Sequence, residues 1–177
     1  EQSYTESNHD GTVRLDDATV VRDSGGSLIV MSRNTHLVIV DDQGRDRASH
    51  KLAYGTKLMV EEGAKVVKGQ RLCEWDPYTL PIITELEGAA KFEDVVPGVS
   101  ARDEVDETTG ITTKHIADWR ASAKASDLKP AIALVDDKGE ILTFANGNEA
   151  RYPLAVGAIL SVEDGQTVHS GDVIARI

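Results

Sequence analysis

A block of 21 residues occurs twice in this chain, and that repeat constrains the fold more than any other feature of the sequence. LAYGTKLMVEEGAKVVKGQRL (52–72) lies without gaps on LAVGAILSVEDGQTVHSGDVI (154–174), and nine of the 21 positions are identical. At ordinary residue usage about one match in twenty arises by chance, so roughly one identity was expected. Upstream, VDDQG (40–44) answers to VDDKG (135–139), with seven more residues between the matched blocks of the second copy. The chain therefore reads as two copies of one unit. Its glycines say which kind. Gly63 and Gly69 bracket a very short apolar stretch around Val66, and Gly165 and Gly171 bracket Val168 in the same way. Glycine supplies the positive φ that tight turns demand, so each block predicts a short, bent strand between two turns, as in a small barrel.

The rest of the chain agrees with a mainly all-β fold. Turn-forming clusters at 23–26, 32–34, 41–44, 62–63 and 68–69 separate short β-branched runs, of which 37–40, 65–67 and 82–84 suit strands. No stretch from 12 to 110 sustains a 3.6-residue apolar period for three turns. The one helical candidate is the Ala-rich ADWRASAKAS (117–126), short and poorly capped. The organisation expected is a flexible lead-in over 1–11, a first β motif over 12–97, a connecting segment over 98–128 and a second motif over 129–177. Strands from 80–117 are expected to complete the second lobe by exchange between the two.

Charge and cysteine usage exclude several functions. Lys and Arg number 19 against 30 Asp and Glu, a net charge of −11, which repels phosphate over most of the surface and argues against an autonomous nucleic-acid-binding module. The single cysteine, Cys73, can form no intrachain disulfide, which suits a reducing, cytoplasmic setting. Apolar runs such as 28–31 and 37–40 are far below the ~20 residues of a membrane-spanning helix, and no membrane partner is expected. The chain starts without Met and stops inside an apolar alternation, so it is expected to be cut from something longer.

No constellation of catalytic residues emerges. His9, His36, His50, His115 and His169 share no spacing, and no Cys/His pattern has zinc-ligand spacing. The carboxylate pairs Asp41-Asp42 and Asp136-Asp137, like Glu61-Glu62 and Glu163-Asp164, recur at equivalent turns, which favours a structural role over acid/base chemistry. DEVDETT (103–109) is expected to be a solvated linker between the copies or, failing that, a surface for a basic partner. Two contact surfaces remain as candidates. Trp75, Pro77 and Tyr78 put two aromatics on a proline-bounded turn, suited to plugging a barrel end or to meeting a partner protein. Arg33, Arg45 and Arg47 are the basic concentration of the first copy.

The pattern G-x-x-V-x-x-G-[QD]-x-[LI] resembles the half-barrel hairpin of biotinyl and lipoyl carrier domains. Those carriers present a modified Lys on the hairpin that follows, whereas WDPYTLP (75–81) contains none. A more extended likeness runs over residues 27–177. LIVMSRNT (28–35), WDP (75–77), PIITE (81–85), SGD (170–172) and ARI (175–177) together resemble the large trigger-loop insertion of the beta-prime subunit of proteobacterial DNA-directed RNA polymerase. The resemblance implies two tandem sandwich-barrel hybrid motifs riding on a loop that folds over the incoming nucleoside triphosphate. It implies a non-catalytic segment of a nucleotidyltransferase, with no cofactor of its own, the magnesium and zinc of the parent being bound elsewhere. The implied partners are the rest of beta-prime, the beta, alpha and omega subunits, and transcription factors of the secondary channel, with little or no direct nucleic-acid contact. The alternatives are a freestanding β-rich protein-binding adaptor and a carrier domain that has lost its Lys.

Overall fold

The computed structural model describes residues 3–177. They form an all-β chain that divides into two units, Glu1–Thr79 and Leu80–Ile177. In the first, the strands are β1 (Ser3–Glu6), β2 (Gly11–Asp16), β3 (Val20–Arg22), β4 (Leu28–Val30), β5 (His36–Val40), β6 (Asp46–Lys51), β7 (Lys57–Leu58), β8 (Lys65–Val66) and β9 (Arg71–Trp75). They build a five-stranded sheet in the order β1-β9-β7-β4-β3 and a four-stranded sheet in the order β6-β5-β2-β8.

The second unit holds β10 (Pro81–Ile83), β11 (Gly88–Glu93), β12 (Ala101–Val105), β13 (Thr112–Ile116), β14 (Ala131–Val135), β15 (Arg151–Pro153), β16 (Ile159–Leu160), β17 (Thr167–Val168) and β18 (Val173–Arg176). Its sheets run β10-β18-β16-β13-β12 and β15-β14-β11-β17. Replacing β1 to β9 by β10 to β18 in chain order converts one topology into the other strand for strand. Irregularities repeat too. The β1/β9 ladder shifts register between Thr5 and Glu6, and β10/β18 shifts between Ile82 and Ile83, at the equivalent place. Gly63 and Gly165 have φ of 84° and 86°, and the two non-glycine residues in the left-handed region among the described residues, Asp17 and Asp94, follow directly on β2 and β11.

Each core lies between its unit's two sheets, and the cores correspond residue by residue. Val13, Val30, Leu37, Ile39, Leu58, Val66 and Leu72 in the first match Ala90, Ile116, Ile132, Leu134, Leu160, Val168 and Ile174 in the second. Burial of aliphatic side chains at ~25 cal/mol per Å² is the main favourable term in both. The second unit has smaller side chains at Ala90 and at Ala175, the counterparts of Val13 and Cys73, and the partly buried Phe92, Trp119, Phe144 and Tyr152 pack against its core. Phe144 and Tyr152 meet edge to face at 5.4 Å.

Several sequence expectations change. Of the lead-in expected over 1–11, residues 1 and 2 lie outside the described residues, but Ser3–Glu6 is a strand whose backbone pairs with β9 from Trp75 to Arg71. It supplies the ladder partner that β9 lacks on that side. The first motif ends at Thr79 rather than at 97, because β10 and β11 bond to β18, β14 and β17. Part of 80–117 does complete the second lobe, but by belonging to it: among the described residues no strand of the first unit shares a sheet with one of the second. The connector expected over 98–128 instead contains β12 and β13, so the acidic run 103–109 is the exposed tip of a hairpin within the second unit. The candidate helix reduces to a 3₁₀ turn, Trp119–Ala121, started by Asp118 accepting from the Arg120 N–H. No helix among the described residues is long and apolar enough to cross a membrane.

Candidate functional site

The aromatic turn divides into two kinds of surface. β9 delivers Trp75 to the edge of the first core, where it is half-buried. Asp76 then organises the turn, its carboxylate accepting from the Tyr78 N–H at 2.8 Å and from the Thr79 hydroxyl at 2.7 Å. Pro77 is exposed, and Tyr78 is left 78% exposed. Trp75 thus packs against the first core while Tyr78 points to solvent. The carrier-like stretch 75–81 runs from one unit into the next rather than closing a hairpin on its own unit.

The three arginines do not form one patch. Arg33 precedes β5 and lies 4.9 Å over the Tyr54 ring, whereas Arg45 and Arg47 follow β5. A five-residue strand separates them by about 16 Å at ~3.3 Å per residue. Arg45 is paired with Asp41 at 3.0 Å. Arg45, Arg47 and Lys68 share a recess of about 640 Å³ with Asp10, Asp41 and Asp42. Acid balances base there, which leaves little field for a phosphate.

The carboxylate pairs serve turns. Asp41 accepts from the N–H groups of Gln43 and Arg45, and Asp136 accepts from those of Lys138 and Glu140 in the same geometry. The Arg45 N–H above all holds the Asp41 carboxyl below the usual carboxylate range. Glu61 is paired with Arg22. The histidines are dispersed: His36 contacts the Asn34 carbonyl, His115 lies 3.3 Å from Glu104, and His169 lies 3.0 Å from Glu87. Among the described residues no group of three or more His, Cys, Asp or Glu side chains converges as a metal site would.

Sequence reasoning missed a groove in the second unit. The strands β13 and β14 are joined by residues 117–130, where β4 and β5 are joined by 31–35 alone. The added chain carries Trp119 and Leu128 alongside β11 and β15, and a groove of about 860 Å³ opens there. Phe92, Trp119, Leu128, Pro130, Ala131, Pro153 and Leu154 form its apolar walls. Its frame is fastened by polar contacts: Asp94 Oδ2 accepts the Lys129 N–H at 2.8 Å, and the Arg151 guanidinium donates to Glu93 at 2.7 Å. Lys91 and Lys129 also line it, and neither ammonium group has an ion-pair partner among the described residues. The signal available in the sequence was a Trp inside an otherwise Ala-rich run. No family model matches the chain.

Proposed function

We propose that the chain is a non-catalytic insertion module of the beta-prime subunit of a bacterial DNA-directed RNA polymerase, acting in the cytoplasm to modulate trigger-loop folding, pausing and transcript cleavage. The observation that carries this reading is the tandem duplication, strand for strand and core residue for core residue, which agrees with the paired sandwich-barrel motifs implied by the likeness over residues 27–177. A folded body tethered to a hinged element biases it only through contacts that differ between the open and closed states. The module therefore tunes an equilibrium, with a coupling of ~1–3 kcal/mol, or about 5- to 150-fold in a state ratio.

The test is to remove residues 1–177 from the parent polymerase, join the flanking segments, and compare single-nucleotide addition, pause lifetimes and transcript cleavage on one template. Addition should continue while pausing and cleavage change. Loss of addition would mean that these residues hold the active site together, and unchanged pausing and cleavage would mean that the module is a passenger.

A further inference from the structure

We propose that the groove of the second unit is a docking site for an extended segment of a partner protein, one that carries an aromatic or aliphatic anchor next to carboxylates. Three observations on the groove lead there. Seven of its twelve lining residues are apolar, and its volume of about 860 Å³ lies within the ~300–1,000 Å³ typical of ligand sites, enough for several side chains of a peptide. Half-buried Trp119 supplies the flat, rigid surface on which such anchors pack. Its charge runs against the rest of the molecule: in a chain of net charge −11, Lys91, Lys129 and Arg151 line this groove against Glu93, which Arg151 pairs, and Asp94, which accepts the Lys129 N–H, so the lining carries a small positive excess. A basic partner would meet the excess positive charge of Lys91 and Lys129, which Asp94 offsets only in part, whereas an acidic one gains from it.

The mode of recognition also follows. β15 is the edge of its sheet, and Pro153 on it has no N–H to donate, so strand addition along that edge is disfavoured. Side-chain insertion between Trp119 and Leu128 is the alternative the walls permit. The first unit, with its short 31–35 connection, has no counterpart of Trp119. The groove thus distinguishes two otherwise equivalent copies. This inference rests on the groove alone and does not require the polymerase reading.

The experiment selects random dodecapeptides displayed on phage against the purified chain, counter-selecting on the Lys91→Glu/Lys129→Glu double variant. Peptides with an aromatic or Leu anchor flanked by Asp or Glu should be enriched. A synthetic peptide of that class should shift the Trp119 indole N–H signal saturably in a ¹⁵N correlation spectrum and leave the Trp75 indole unmoved. Its Kd should rise about 10-fold or more in the double variant and with added salt, as for close charge pairs. Leu128→Ser should weaken binding independently of charge, and unchanged signals elsewhere in the spectrum establish that each variant is folded. No enrichment, equal binding of a Lys-flanked version, or undiminished affinity in the double variant would overturn the proposal.

Discussion

Gly11→Ala tests the duplicated architecture at its tightest point. A Cβ on Gly11 would stand 2.6 Å from the Val40 carbonyl oxygen and 2.7 Å from Ile39 Cγ2. Ordinary contact begins at about 3.4 Å, so roughly 0.8 Å of movement is needed, and a backbone oxygen held in a ladder does not yield that cheaply; overpacking of this kind costs ~1–3 kcal/mol. The equivalent change, Gly88→Ala, meets the Val135 carbonyl oxygen and Leu142 Cδ1, both at 2.9 Å, and one of those atoms is the end of a flexible side chain. It should fall in the lower half of the range. Gly25→Ala meets nothing closer than Asp23 Oδ1 at 3.5 Å and should be neutral within ~0.5 kcal/mol. The chain's two tryptophans fall one in each unit, Trp75 in the first and Trp119 in the second, so single Trp→Phe backgrounds report each unit by fluorescence. For a domain of this size ~1 kcal/mol moves Tm by roughly 4–8 °C, so Gly11→Ala should lower the midpoint reported by Trp75 by roughly 4–24 °C. An unchanged Trp75 midpoint in Gly11→Ala would refute the close packing of β2 on β5 and, with it, the equivalence to β11 on β14.

Other outcomes follow from the same geometry. Leu72→Ala and Ile174→Ala, at matched and fully buried positions, should each cost ~2–5 kcal/mol and agree within ~1 kcal/mol, measured by urea denaturation in the same two backgrounds. The Asp16 and Asp41 carboxyls are held low, Asp16 by the Arg14 guanidinium and Asp41 by the Arg45 N–H. A depressed folded pKa gives stabilisation that is present above the unfolded value of about 3.9 and is lost as pH falls through the folded value, so urea midpoints should drop below about pH 4. Asp41→Asn, which keeps the turn's acceptor oxygen, should flatten that drop. Burial pushes the Cys73 thiol up, and the side chain is almost wholly enclosed, so an aromatic disulfide reagent should modify the native chain on the order of 100-fold more slowly than the urea-unfolded one.

What was legible in the sequence was whatever the backbone demands locally. Gly63, Gly69, Gly165 and Gly171 announced their turns because only glycine enters the left-handed region without strain, and all four have positive φ. The short runs at 37–40 and 65–67 read as strands, and the identities from Leu52/Leu154 to Gly69/Gly171 revealed the duplication because turns and buried aliphatic positions tolerate few alternatives. Strand partnership was not legible. GTVRLD and GAAKFE, β2 and β11, hold equivalent places but share only their first residue, so the unit boundary at Thr79 emerges only from where β10 and β11 hydrogen-bond. Ser3–Glu6 is likewise a strand only because β9, nearly 70 residues later, offers an open side. The groove at Trp119 depends on the same non-local geometry: Phe92, Trp119, Leu128 and Pro153 are scattered in the chain and meet because β11, β15 and the added 117–130 segment converge. Turn conformations are decided by neighbouring atoms within a few bonds, whereas pairings and grooves are decided by which distant segments bury each other's surface, and that only the tertiary structure specifies.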